Sequence, residues 1–382
     1  MKNNRTACVT ISVVCAAWSS VQGQELEEIT KPDATATRDF SDITRYPIAA
    51  FEPDWSDPRI EAAMLDDAPP STLDLDENGI PRGKTLSEGD MILPADAEGN
   101  VAATYETNLW PGQVPYVFDA NVAPINRTET IISFQALEAV SAVSFVPRTL
   151  EINYVRIRDS SADTNPRNSS EVGMQFFEQV FNMTNWNGNT GVNYIIVHEG
   201  GHCLGLYHEH QRPDRDTFVN INPNNVQANS FANNFPVLQF AAESYGPYDF
   251  DSVMHYGSCA FAIACLPSSN CNCTQAQQTI NVNAPFTAQW QANIGQQTHL
   301  SYWDGLILSF LYPNWNWRFL SIGGIDIIGS FLSPFGTFAT GYNQTPVGGT
   351  LWILQPSTYA VGPVLDKPMT IGAPLGGVTL TR

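Results

Sequence analysis

Eleven residues restrict this chain more than any other stretch: His198-Glu199-Gly200-Gly201-His202-Cys203-Leu204-Gly205-Leu206-Tyr207-His208. The pattern is H-E-x-x-H-x-x-G-x-x-H. On a helix, positions four apart lie one above the other on the same face, so His198 and His202 can grip one ion. Gly205 can take the left-handed conformation that ends a helix and turns the chain back. That return brings His208 towards the same ion. Three imidazoles with a fourth position left open form the donor set of a catalytic, not a structural, zinc site. Glu199, beside the first ligand, is placed to accept a proton from a zinc-activated water. A bare H-E-x-x-H arises by chance on ordinary helices; the glycine and third histidine at fixed offsets single out zinc. The ligands are drawn from only six histidines, so no histidine-rich background produces the motif.

The continuation Glu209-His210-Gln211-Arg212-Pro213-Asp214-Arg215-Asp216, read from His208, resembles the H-E-x-x-R-x-D-R-D signature of the astacins, a branch of the metzincin zinc endopeptidases. Downstream, Ser252-Val253-Met254-His255-Tyr256-Gly257 resembles their Met-turn, S-x-M-H-Y-G. Asn108 to Phe118 resembles the opening strand L-W-x-x-x-x-I-P-Y, Ser144 to Thr149 resembles R-F-V-P-R-T, and Asn293 to Ser301 resembles I-G-Q-R-x-x-L-S. The similarity runs from about Leu109 to Pro313.

That resemblance implies an α+β, zincin-like catalytic domain: a twisted sheet above the cleft, a zinc helix and an irregular C-terminal half. It implies one catalytic Zn2+ and protein or peptide substrates. Met254 would form an apolar floor beneath the metal. Tyr256 would be a weak fifth ligand that swings away to steady the oxyanion; an ordinary buried tyrosine is the alternative. Glu209 would lie near the freed N-terminus of the mature enzyme, or else be a surface acid flanking the helix. His255 reads as structural, and His210 and His299 as surface or supporting groups. Gly200 departs from the pattern, which favours an aliphatic residue there. A glycine inside a helix costs about 1 kcal/mol relative to alanine, so the surroundings must hold this helix.

Four segments divide the chain. Met1 to about Gly23 reads as a secretion signal, with Lys2 and Arg5 ahead of an apolar run and a small-residue cleavage site. Residues 24–100 are acidic, proline-dotted and without clear periodicity, the composition of a partly disordered linker. Within them Leu86-Ser87-Glu88-Gly89-Asp90-Met91 resembles the astacin prosegment motif F-x-G-D, with Ser87 where an aromatic is usual. By that resemblance Asp90 ligates the zinc in the latent zymogen; a plain Glu-Gly-Asp turn is the alternative. The astacin resemblance, and not composition, places the protease domain at residues 101–313. No Lys or Arg lies between Lys84 and Arg127, which argues against trypsin-like activation there; the astacin resemblance, with its preference for an acidic residue just after the cut bond, implies Asp96 or Glu98 as self-processing points. Inside the domain, apolar spacing predicts a helix over Asn126 to Ala142 and a strand over Tyr154 to Arg158. Ser160 to Ser170 reads as a polar loop; Gly173 to Phe181 is apolar and short, and the astacin resemblance implies that it includes the strand lining the upper edge of the cleft. An extended substrate would pair with that edge through its backbone.

Residues 314–382 are nearly free of charge, and their last part, from Gly349 to Leu380, reads as short strands between tight turns, similar to a rung or two of a parallel β-helix. They form a small all-β extension. The cysteines depart from the family: after signal removal Cys203, Cys259, Cys265, Cys271 and Cys273 remain. The last four form a local cluster expected to make one or two disulfides in a secreted chain, leaving Cys203 unpaired. A formal net charge of −20 argues against nucleic acid, and no apolar run beyond the signal is long enough to span a membrane. The reading is a secreted zinc endopeptidase made as a zymogen. Its rival is a catalytically silent zinc- or matrix-binding protein acting through the C-terminal strands.

Overall fold

The computed structural model describes residues 51–64, 70–87, 89–94, 108–189, 191–238, 245–266, 268–361 and 365–381. The signal stretch and the processing points Asp96 and Glu98 lie outside the described residues. The chain divides into two compact units, Tyr46–Tyr312 and one that holds Pro313–Arg382.

The first unit is built on a seven-stranded sheet. Its strands are β1 (Lys84–Ser87), β2 (Met91–Pro94), β3 (Gln113–Phe118), β4 (Ser144–Pro147), β5 (Tyr154–Asp159), β6 (Ser169–Glu171) and β7 (Glu178–Met183), in the order β1-β2-β6-β7-β5-β3-β4. Strands β4, β3, β5 and β7 run parallel, and β6 is antiparallel to β7. All six residues of β7 are buried, as expected of a strand covered on both faces.

The cleft-edge strand is therefore not within Gly173 to Phe181. The strand starting there, β7, is interior, and the domain's own edge is β6, which begins in the last two residues of the stretch that reads as a polar loop. Ser-Ser-Glu carries no apolar alternation to announce a strand. Polar contacts hold it instead: Asn182 Nδ2 donates to Ser169 Oγ at 3.0 Å, and Val180 N donates to Glu171 Oε1 at 3.0 Å.

Residues upstream of the domain are more ordered than their composition suggests. The β1–β2 hairpin extends the sheet, β2 lying parallel to β6 with Met91 opposite Ser170 and Ile92 opposite Glu171. Helix α1 (Pro58–Ala63), capped by Asp57, brings Phe51, Ile60 and Ala63 into the main core. Arg59 Nη1 pairs with Glu138 Oε1 at 2.7 Å. Burial of Met91, Ile92 and Leu93 repays ordering that the acidic composition alone would not.

Helix α2 (Pro124–Glu138) ends four residues before the expected Ala142 and is buried from Asn126 through Leu137. Its polar groups are each satisfied, since an orphan would cost about 1–3 kcal/mol. Arg127 Nη1 donates to Ala63 O at 2.9 Å, and Glu129 Oε1 accepts from Asn187 N at 2.9 Å and Asn193 Nδ2 at 2.8 Å. Beneath lies α3 (Tyr194–Cys203), capped by Asn193.

The lower half has little regular structure. The strand pair β8 (Val219–Ile221) and β9 (Ile280–Val282), with the single turns α4 (Phe231–Asn234) and α5 (Thr287–Trp290), surrounds a second core of Phe235, Tyr248, Phe250 and Trp290. Helix α6 (Tyr302–Leu311) closes the unit. Disulfides join Cys259 to Cys273 and Cys265 to Cys271, and Cys203 is a buried free thiol.

In the second unit β10 (Trp317–Leu320), β11 (Thr350–Ile353) and β13 (Thr370–Gly372) form a parallel sheet, while β12 (Thr358–Ala360) pairs in parallel with β14 (Thr379–Thr381). Thr350 aligns with Thr370 and Thr358 with Thr379, so the strands stack as successive turns of a coil around Leu351, Ile353, Tyr359 and Ile371. One helix, α7 (Phe338–Gln344), is added to these strands.

Glu178 fastens the upstream segment to the sheet. Its carboxylate accepts from Ser71 Oγ at 2.8 Å, Thr72 N at 2.9 Å and Tyr154 Oη at 2.9 Å, and it pairs with Arg156. Burial alone would raise this carboxyl, but Thr72, Arg156 and Ser71 hold it at about 2 against an ordinary 4.5. The folded value is below the unfolded one, so the stabilisation is full above about pH 4.5 and is lost as pH falls towards 2. Glu178→Gln should flatten the acid limb of stability measured by urea unfolding. It should be less stable than wild type near neutrality and close on it near pH 2. An unchanged acid limb would show that these bonds do not link folding to pH.

Candidate functional site

Helix α3 presents His198 and His202 one turn apart. It ends where Gly205 takes φ +102°, and the chain returns with His208. The three Nε2 atoms converge: His202 to His208 is 3.2 Å and His208 to His198 is 3.3 Å. Asp90 enters from the upstream segment, its Oδ2 3.3 Å from His208 Nε2 and 3.4 Å from His198 Nε2. One ligand atom from each of these four residues lies within 4.8 Å of all the others.

The remaining ring nitrogens explain the convergence. His198 Nδ1 contacts Val253 O at 2.8 Å and His202 Nδ1 contacts Leu206 O at 2.8 Å. A carbonyl only accepts, so both Nδ1 atoms carry the proton and both Nε2 lone pairs face the common point. Val253 is held in turn: its N donates to Asp304 Oδ2 at 2.8 Å, and Ser252 Oγ donates to Asp304 Oδ1 at 2.6 Å. The motifs did not mark Asp304, yet this side chain on α6 anchors the turn that orients His198. The capping pattern Ser301-x-x-Asp304 was its one sequence signal.

Glu199 is buried on the same helix. Its Oε2 has no hydrogen-bond partner among the described residues, and the same holds for Asp90 Oδ1. Burial, and then the charge of Asp90, push the Glu199 carboxyl well above the usual range. Three converging imidazole nitrogens, two of them oriented by carbonyls, with two carboxylate oxygens lacking hydrogen-bond partners beside them, fit a divalent cation of zinc's ligand preference.

Met254 is buried beneath the helix, and Tyr256 packs its ring against His208 at 4.5 Å and stacks on His210 at 4.1 Å. His210 is thus fully buried and not a surface group, its Nε2 contacting Asn234 O at 3.2 Å. His255 is buried between Tyr248 Oη at 2.7 Å and Tyr256 O. His299 sits apart, against Asp251 at 2.9 Å. Glu209 is not a plain surface acid. It accepts from Asp249 N at 2.8 Å and faces Arg212 at 3.2 Å; desolvation pushes it up to about 7 against the pull of Arg212.

Residues 102–313 match the family model described as Astacin, a peptidase family. The chain belongs to the astacin family of zinc metalloendopeptidases. It is 30% identical over 248 residues to Astacin-like metalloprotease toxin 1 of Loxosceles intermedia, covering 63% of this chain and 86% of the toxin. It is 32% identical over 175 residues to Zinc metalloproteinase nas-14 of Caenorhabditis elegans, covering 42% of this chain but only 31% of that protein. The solved structure of high choriolytic enzyme 1, a hatching enzyme zinc-protease from Oryzias latipes, is similar over 54% of this chain and 95% of its own, with 26% identity and a TM-score of 0.45. Astacins use a catalytic zinc, and the donor set of this site fits one.

Gly200, which departs from the astacin pattern, and its neighbour Gly201 both have a steric reason. A Cβ on Gly200 would lie 2.5 Å from Leu137 Cδ1, and one on Gly201 would lie 2.8 Å from Met254 Sδ. Glycine thus lets α2 and the Met-turn approach the zinc helix closely. Gly200→Ala gains helix propensity of about 1 kcal/mol but overpacks a filled core, at a cost of about 1–3 kcal/mol. Net destabilisation is expected in urea unfolding. Leu137→Ala should cost clearly less in the Gly200→Ala background than in wild type; additive losses would remove the clash as the cause.

Proposed function

We propose that this chain is a secreted endopeptidase made as a latent precursor, with His198, His202 and His208 holding the zinc ion. The observation that carries this reading is the convergence of three oriented Nε2 atoms with Asp90 among them and Glu199 alongside. When bound, zinc supplies Lewis acidity towards water and the scissile carbonyl. Glu199 takes the proton of the attacking water and returns it to the departing amine, the work of a general base and then acid. Tyr256 donates its hydroxyl to the negative charge developing on the carbonyl oxygen. Gly205 turns the chain, Met254 floors the site, and Glu209 marks where a new N-terminus would be received.

In the precursor Asp90 fills the approach to the imidazoles, and β2 fills the sheet edge that an extended peptide would use. The local disulfides and the apolar N-terminal stretch support export. Among the described residues no helix is long and apolar enough to cross a membrane. The rival binding-protein reading gains nothing from these observations, because such a protein has no use for Glu199.

Two outcomes are expected with casein or a quenched peptide. The processed protein should cleave, lose activity with a zinc chelator and regain it with zinc, while Glu199→Gln should lower kcat/KM by about 10²–10⁴. Asp90→Asn should release cleavage from the uncut chain. A zinc-loaded, processed sample that cleaves nothing would sink the peptidase reading, and an uncut Asp90→Asn chain that stays silent would sink the latency role.

A further inference from the structure

Five Asn-x-Ser/Thr triplets fall among the described residues, at Asn126, Asn168, Asn182, Asn272 and Asn343. In a chain that passes through a secretory compartment such a triplet is an acceptor for an N-linked glycan. A glycan is bulky and strongly hydrated, so a folded protein carries one only where the asparagine side chain reaches solvent. Burial therefore sorts the five.

Asn182 is fully buried inside β7. Its Nδ2 donates to Gly79 O at 3.2 Å and to Ser169 Oγ at 3.0 Å, and its Oδ1 accepts from Arg158 Nη1 at 2.9 Å. Asn126 is buried in the first turn of α2. Asn168 lines the cleft and is engaged at both ends of its amide. Its Oδ1 accepts from Thr184 N at 2.9 Å and Asn185 N at 3.1 Å, and its Nδ2 donates to Asn185 Oδ1 at 3.1 Å. A glycan there would stand where a peptide must lie. Asn272 and Asn343 are exposed, and neither side-chain amide is hydrogen-bonded among the described residues. Asn343 lies on α7 of the second unit, whereas Asn272 belongs to the protease unit.

The surroundings of Asn272 bear on the site. Its chain neighbours are Cys271, bound to Cys265, and Cys273, bound to Cys259. Its backbone is thus pinned on both sides. Ser268, Ser269 and Asn270 of the same doubly bridged loop line the cleft with Asp90, His198 and Glu199. The loop is also tied to the cleft wall, because Phe261 N donates to Ser269 O at 2.6 Å. Two residues of chain span at most about 7 Å, so Asn272 stands within that reach of the cleft-lining Asn270.

On the reading of this chain as exported, on which the inference rests, we propose that Asn272 carries an N-linked glycan held at the rim of the cleft. The donor is an oligosaccharide on a lipid-linked pyrophosphate. Asn272 Nδ2 forms a bond to the anomeric carbon of the first sugar, the bond from that carbon to the phosphate oxygen breaks, and one amide proton leaves with the pyrophosphate. Nothing is oxidised or reduced. Fixed on this loop, the glycan lets an extended peptide pass into the cleft and obstructs a folded protein, which is wider.

The full chain is expressed in a eukaryotic secretory host, once with its own N-terminus and once with a foreign secretion signal in place of residues 1–23. Both versions carry a C-terminal tag with one exposed acceptor triplet, which reports passage through the glycosylating compartment. Amidase release in heavy-oxygen water marks each formerly glycosylated asparagine as aspartate, and peptide mass spectrometry locates the marks. In the secreted protein Asn272 should be marked and Asn126, Asn168 and Asn182 unmarked. Thr274→Ala should remove the mark and Thr274→Ser should keep it. A secreted chain with a marked tag and an unmarked Asn272 would overturn the proposal. A chain that stays inside with its own N-terminus, yet is marked at Asn272 behind the foreign signal, counts against export and supports the acceptor.

The obstruction is read with one cleavable sequence, offered as a free peptide and in a surface loop of a folded carrier. The ratio of kcat/KM on the carrier to that on the peptide should rise severalfold in Thr274→Ala and hold its wild-type value in Thr274→Ser. The ratio cancels any general loss of activity or fold, and an unchanged ratio in Thr274→Ala would overturn the obstruction. A sample marked at Asn272 that cleaves neither substrate counts against the peptidase reading and not against the acceptor.

Discussion

An imidazole can offer one nitrogen to a metal only when its other nitrogen is held, and much of the lower half of this domain follows from that requirement. The proton on His198 Nδ1 goes to Val253 O and that on His202 Nδ1 goes to Leu206 O. The first acceptor lies in the Met-turn and the second in the reversal that Gly205 allows. The turn depends on Asp304, which takes Ser252 Oγ and Val253 N while also capping its own helix through Ser301 N at 3.0 Å. Three segments distant in sequence, the zinc helix with its reversal, the Met-turn and α6, are thereby tied to two ring orientations. A misplaced Asp304 would tilt His198 without touching it.

The carboxylates at the centre add a constraint of charge. Asp90 and Glu199 share a volume with three imidazoles, and burial drives His202 well below its ordinary value, towards the neutral form. The set offers imidazole nitrogens and carboxylate oxygens to one buried point, and a dication is its natural complement. The hydrogen-bond pattern agrees, because the protonated Nδ1 atoms leave Nε2 as a donor of electrons and not of protons. Charge and tautomer thus converge on the same ligand.

Legibility from sequence followed how local each constraint was. The helix spacing of His198 and His202, the turn at Gly205 and the short strands β11 and β13 are each marked by residues near in sequence, and short patterns carry them. The edge strand β6 was invisible because it has three polar residues and is held by Asn182 and by Val180 N from another strand. Gly200 looked like drift from a family preference until Leu137, from a helix more than sixty positions away in sequence, stood over it. His210 read as either a surface or a supporting group, because nothing local announces the stack on Tyr256 that makes it the second. Residues 51–63 read as linker because acids and prolines dominate, while the few apolar groups that matter, Phe51, Ile60 and Ala63, are spaced without a period.

Those upstream residues are held by two kinds of physics. Around α1 the chain is embedded: its apolar groups join the main core, Arg127 donates to Ala63 O, and Arg59 spans Asp57 and Glu138. Around β2 it lies at a sheet edge, held by a two-residue register, an ion pair and the contacts of Asp90. A cut between the two described stretches ending at 94 and starting at 108 severs the covalent tie to both at once. It loosens them unequally, because edge hydrogen bonds and a partly exposed Lys84 exchange readily with water whereas core burial does not. The part that fills the cleft is accordingly the part bound by interactions that a peptide substrate can reproduce, and the part that completes the core is bound by ones it cannot.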